Sequence, residues 1–280
     1  MTSKILVYDG DCPMCEAASA LLVRAGLLPE ERRRPFQSFE GEMADRLLAA
    51  GMQNEMAVID PSGKIRTGIP GILGLLRETR AGWVARLLDR PWLHPVLTAG
   101  YHLVAYNRRT IAPPRRGPAF ACACDPEYRP RWLLALIILL LAFAVGMTTL
   151  FGAVVAAETG LASPIQGAIR MLFAAGSGWV LLVLAALALQ RETRLPFLGH
   201  LGMVMAGGLL VLVPSMLLAP LLDGRWMAGV FLLSVTASFL LMLRSLRRRL
   251  VYLELSPVWL AGWAAALWAG ASVSIWWFYF

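Results

Sequence analysis

Two cysteines stand at the spacing of a reactive dithiol, in Cys12-Pro13-Met14-Cys15. One helical turn separates them. At that reach one sulfur can form a mixed disulfide with a partner and the other can resolve it. The flanking residues say where the pair sits. Lys4-Ile5-Leu6-Val7-Tyr8 reads as a short buried strand that closes at Asp9-Gly10-Asp11. Glu16 to Ala25 reads as a helix stopped by Gly26, and Pro13 suits its first turn. Cys12 is therefore expected at a strand end and a helix N-terminus, where unpaired N–H groups and the helix dipole favour thiolate over thiol. Such sites lower a cysteine pKa from about 8.5 to roughly 3.5–7.5. Asp9 and Asp11 oppose a further negative charge, so the expected lowering is moderate. The two carboxylates also suit the turn itself, by accepting backbone N–H groups. The competing reading is a pair of inert buried thiols.

A second pair, Cys122-Ala123-Cys124, lies far along the chain. A CxC disulfide is strained and easily reduced. These thiols read as structural, as redox partners of the CxxC, or with it as a four-cysteine zinc site. No metal site is assigned and no resident cofactor is implied. Strand-Asp9-Gly10-Asp11 also has the form of a phosphatase opening with an aspartyl nucleophile. No later acidic pair follows an apolar strand to hold the magnesium which that chemistry needs. His94 and His102 lack ligand spacing and read as packing residues.

Further elements must hold the dithiol. Arg33 to Phe39 reads as a second strand and Glu42 to Ala50 as a helix before Gly51. Met56 to Asp60 and Lys64 to Gly68 pair across Pro61-Ser62-Gly63 as a hairpin, and Ile69 to Arg80 begins a third helix. Strand, helix, strand, helix, strand, strand, helix is a thioredoxin-like α/β order. Trp83 to His102 reads as further amphipathic helix broken at Pro91 and Pro95. Tyr8-Asp9-Gly10-Asp11-Cys12-Pro13-Met14-Cys15 resembles the signature of the DCC family of thiol-disulfide oxidoreductases. The likeness continues in Val58-Ile59-Asp60-Pro61-Ser62-Gly63, in Gly68 and in Tyr101 to Arg109, and covers about residues 4–110. The resemblance implies a thioredoxin-like fold, Cys12 as attacking and Cys15 as resolving thiol, and a protein or small-molecule disulfide as substrate. Thioredoxins place a cis-proline before the third strand; here Gln53-Asn54-Glu55-Met56 occupies that stretch.

The remainder is a different material. The chain has 280 residues, 58% of them hydrophobic, 26 Lys+Arg and 18 Asp+Glu. Beyond residue 131 the only charged residues are Arg170, Arg191, Arg194, Arg225, Arg244, Arg247, Arg248 and Arg249 with Glu158, Glu192, Asp223 and Glu254. Five apolar stretches, roughly 132–156, 168–189, 199–222, 226–244 and 257–279, reach the length of about 20 residues that crosses a bilayer. The expected architecture is thus a domain over 1–110, a Pro/Arg-rich linker over 111–131 and an all-α bundle of about five transmembrane helices over 132–280. Basic residues cluster beside the apolar runs, including Arg108-Arg109, Arg115-Arg116 and Arg244 to Arg249. Placement against anionic headgroups accounts for the net charge of +8, and nucleic acid is not an expected partner. Basic loops on alternate sides predict a multi-pass protein of bacterial inner-membrane type, N-terminus and dithiol domain cytoplasmic, C-terminus outside, with Ser274 to Phe280 as an aromatic belt. No cysteine lies in the spans, and His200 reads as a helix-end residue, so no thiol relay or paired haem ligation is expected there.

Overall fold

The computed structural model describes residues 3–114, 125–160, 162–221 and 224–279. The chain divides into two compact units, Met1–Leu133 and Leu134–Phe280.

In the first unit, β1 (Ile5–Tyr8), α1 (Pro13–Arg24), β2 (Arg33–Pro35), α2 (Gly41–Ala49), β3 (Ala57–Ile59), β4 (Ile65–Thr67) and α3 (Gly68–Leu76) follow one another. They build a four-stranded sheet of order β2-β1-β3-β4. β1 runs parallel to β2, with Leu6 beside Arg33, and antiparallel to β3, with Leu6 beside Val58. β3 and β4 form the expected hairpin. Asp60 Oδ1 holds its turn by accepting from Ser62 N, Ser62 Oγ and Lys64 N. Side chains alternate across a strand, and β1 uses both faces. Val7 packs with Phe36, Leu47, Met52, Ala57 and Ile59 on one side; Leu6 packs with Leu28, Val58 and Leu75 on the other. Helices thus cover both faces of the central strand, the thioredoxin-like arrangement.

Three elements differ from the sequence reading. β2 ends at Pro35 instead of Phe39, and a 3₁₀ turn over Phe36–Ser38 follows. Proline has no N–H to extend a ladder, and Phe36 turns inward to the core. α3 stops at Leu76. The next stretch is α4 (Gly82–Leu88), α5 (His94–Tyr106) and a single turn, α6 (Arg108–Ile111). Pro95 does not break a helix; it lies in the first turn of α5, where its missing N–H costs nothing.

The second unit is helical: α7 (Pro130–Thr159, which starts within the first unit), α8 (Pro164–Ala186), α9 (Arg191–Leu218), α10 (Gly224–Tyr252) and α11 (Val258–Tyr279). Four of these are long and apolar enough to cross a membrane, and α11 adds a shorter apolar run over Val258–Gly270. Large apolar side chains such as Ile138, Leu139, Phe173, Leu232 and Leu233 stand exposed on them. An apolar surface of that extent is suited to lipid, and a water-soluble protein rarely shows it. Gly178 and Gly270 mark a close approach of α8 and α11, since a Cβ on either would meet backbone of the other helix within 3 Å.

Helix ends shift with consequences. A capping box of Ser163 and Gln166 starts α8 earlier than hydropathy alone indicates. α9 begins at Arg191, so His200 lies inside the helix and not at its end, and it is buried. α10 runs on to Tyr252, and Arg249, expected in a loop, is buried with Nη1 2.8 Å from His200 Nδ1. The Ser274–Phe280 side chains, Arg115 and Arg116 lie outside the described residues.

Candidate active site

The sheet delivers the dithiol from its centre. β1 ends at Tyr8, Asp9 to Asp11 turn the chain, and α1 starts at Pro13 with Cys12 as its N-cap. N-caps are commonly Ser, Thr, Asp or Asn, whose oxygen accepts from an N–H of the first turn. Here a sulfur takes that position: Cys15 N–H donates to Cys12 Sγ at 3.3 Å. Both cysteines are free thiols.

A side chain at position 10 would crowd this turn. A Cβ there would lie 2.8 Å from Gln37 Oε1 and 3.1 Å from Pro35 Cβ. Gly10 N–H donates to that same Oε1. The Gln37 amide donates from Nε2 to Asp9 Oδ1 and Asp11 Oδ2, and Asp11 N–H donates to Asp9 Oδ1. The Asp9 carboxylate accepts a backbone N–H of the turn, whereas the Asp11 carboxylate accepts from the Gln37 amide.

Asp9 is only 1% exposed, and two guanidinium groups neutralise it. Arg108 Nη2 lies 3.4 Å and Arg109 Nη2 3.1 Å from its Oδ2. Both arginines come from α6, about a hundred residues along the chain. Arg108 is further fixed by donating to the carbonyls of Gln53 and Asn54, and Arg109 by donating to Asp11 O and pairing with Asp125. Asn107, just before α6, donates from its amide to Leu103 O and Trp132 O. The sequence reading placed Arg108 and Arg109 against lipid headgroups; in the fold both are buried behind the dithiol. The available signal was electrostatic, since a thiolate beside two carboxylates requires cations and this pair lies within the region resembling the DCC family.

The Gln53–Met56 stretch, where a thioredoxin has its cis-proline, is held from the α5–α6 side. Arg108 occupies the two carbonyls, and Met56 N–H donates to Tyr101 Oη at 2.9 Å. Burial pushes the Tyr101 hydroxyl pKa up, so it stays a neutral acceptor. No cis peptide occurs among the described residues.

These surroundings separate the two sulfurs. The Cys15 thiol hydrogen-bonds to Cys12, and with the backbone N–H and Arg108 it outweighs burial and Asp9, taking Cys12 from 9.0 to about 6. The same hydrogen bond, burial and the Cys12 charge push Cys15 strongly up. The sequence reading anticipates a moderate lowering because it sets Asp9 and Asp11 against the thiolate and does not count the hydrogen bond from Cys15. The result is one thiolate and one thiol at neutral pH. Cys12 is 0% exposed, whereas Cys15 is half-buried. The charged sulfur belongs to the residue that is closed off from solvent.

Asp9, buried and fully engaged, is in no position to act as a phosphatase nucleophile. Cys122 and Cys124 lie outside the described residues, so their relation to the CxxC, as redox pair or zinc ligands, is not described. Among the described residues no cluster of three or more His, Cys, Asp or Glu could hold a metal. His94 pairs with Asp89 and His102 with Glu55.

Residues 6–112 match the family model of the DCC1-like thiol-disulfide oxidoreductases. The match runs from β1 through α6 and so spans both the dithiol and the arginine pair. The resemblance read from Tyr8 to Cys15 holds. No curated protein and no solved structure matches the chain.

Proposed function

We propose that the chain is a membrane-tethered thiol-disulfide oxidoreductase in which Cys12 attacks and Cys15 resolves. The observation that carries this is Cys12 as N-cap of α1, its sulfur accepting the Cys15 N–H, with a pKa near 6. The Cys12 thiolate attacks one sulfur of a disulfide and expels the other as a thiolate. Cys15 then gives up its proton and attacks Cys12, forming the intramolecular disulfide and releasing the second thiol. Two electrons and the Cys15 proton pass to the substrate, whose second thiol takes its proton from water, and an external thiol donor restores the dithiol. Asp9, Asp11 and Pro13 hold the turn and the helix start; Arg108 supports the thiolate. The membrane helices anchor the unit, and the alternation of basic residues at the helix ends supports a cytoplasmic dithiol domain and an outer C-terminus.

The complete burial of Cys12 favours a second reading, a redox sensor or relay with a selective partner and no broad substrate range. One preparation tests both. Full-length protein in detergent, carrying Cys122→Ser and Cys124→Ser, is equilibrated with glutathione buffers, and the Cys12–Cys15 disulfide is followed by mass. A reversible two-electron couple at about −270 to −200 mV supports the oxidoreductase. Absence of any couple refutes a redox role. A couple without turnover of insulin disulfides selects the partner-specific reading.

A further inference from the structure

A second surface of the first unit has no part in the dithiol chemistry. α4 carries Trp83, Arg86 and Leu87 on one face, at i, i+3 and i+4, and Arg90 follows at i+7. The turn to α5 adds Trp92, and the first turn of α5 adds Val96. All six are exposed; Trp83 is 64%, Trp92 67% and Val96 64% accessible. Two tryptophans standing this far out of a unit with its own closed core are unusual, because a large aromatic normally dominates packing. Among the described residues neither Arg86 nor Arg90 has a carboxylate within 4 Å, so two cations are interleaved with the apolar groups.

We propose that this α4–α5 face lies on the surface of a lipid bilayer bearing anionic headgroups. Three observations select a membrane over a protein partner. Tryptophan prefers the headgroup level, where its ring is buried and its N–H stays wet. Arginine next to it complements anionic lipid, with the apolar face entering the acyl boundary as an interfacial helix does. The chain itself continues into α7, the first of four helices long and apolar enough to cross a membrane, at Pro130, so on the membrane-tethered reading proposed above a bilayer lies within reach of this unit. The surface therefore adds a peripheral contact to the covalent tether.

Photocrosslinking in the intact protein tests this. Full-length chains with Trp83→p-benzoylphenylalanine or Trp92→p-benzoylphenylalanine are placed in nanodiscs of phosphatidylcholine alone or with phosphatidylglycerol, irradiated, and weighed intact. A Ser62→p-benzoylphenylalanine chain is the control, since Ser62 is exposed in the hairpin turn. The expected result is a lipid adduct at 83 and 92 but not at 62. Adduct yield should be several-fold higher with phosphatidylglycerol and fall about fivefold for each of Arg86→Gln and Arg90→Gln. A crosslink to residues 134–280, a crosslinked dimer, or equal labelling at position 62 overturns the proposal. Equal yields in the two lipids overturn the role given to the arginines.

Discussion

Replacing Cys15 by alanine should raise the Cys12 pKa by one to two units. The structure gives the magnitude. The largest influence holding Cys12 near 6 is the hydrogen bond from the Cys15 thiol, ahead of the backbone N–H and Arg108. A hydrogen bond to a charged group contributes about 1.5–3 kcal/mol, and about 1.4 kcal/mol corresponds to one pKa unit. Cys15→Ala removes the thiol donor but keeps the backbone N–H that caps α1. The Cys12 pKa should therefore move to roughly 7–8, and the thiolate fraction at pH 7 should fall from about 90% to roughly 10–50%. The assay is iodoacetamide alkylation of Cys12 against pH, read by peptide mass in full-length protein carrying Cys122→Ser and Cys124→Ser. Burial of Cys12 slows the reaction at every pH, but the inflection still reports the ionisation. A variant inflection within a few tenths of the parent, or a parent inflection near 9, would refute the assignment of Cys12 as a thiolate held by Cys15.

Other outcomes follow from the same geometry. Between pH 6 and 9 the reduced pair keeps one proton, on Cys15, so oxidation releases one proton with two electrons. The midpoint potential should then fall by about 30 mV per pH unit, steepening to about 59 mV below pH 6, as redox titration will show. Asp9→Asn removes the buried carboxylate that two guanidinium groups share, and breaking a buried ion pair typically costs roughly 3–5 kcal/mol. Hydrogen exchange of the β1 amides should accelerate at least a hundredfold, and the Cys12 inflection should shift down because Asp9 raises it. Gly10→Ala forces a Cβ against Gln37 and Pro35, and a loss of about 1–3 kcal/mol by the same exchange measurement is expected.

Much of this was legible because it is local. The strand, the turn, the N-terminal position of Cys12 and the hairpin at Asp60–Lys64 depend on residues within a few positions of one another. The long-range ion pairs were not legible. A cluster such as Arg108-Arg109 beside an apolar run has the same pattern whether headgroups or a buried carboxylate neutralise it. Arg249 misled in the same way, since α10 carries it a turn past the hydropathic limit and against His200. Pro35 shortened β2 by the loss of one donor, a local effect that the apolar pattern through Phe39 outweighed in the sequence. The burial of Cys12 depends on what packs around it and has no sequence pattern.

The pairing of Asp9 with Arg108 and Arg109 also sets a minimum extent for the dithiol domain. By strands and helices, a chain cut after Tyr106 retains every element around the sheet and both cysteines. It would nevertheless strand a carboxylate at the centre of the fold with no cation to answer it, in a place water does not reach. The domain must therefore reach at least to Arg109, and charge balance, not the hydrophobic core, makes that demand.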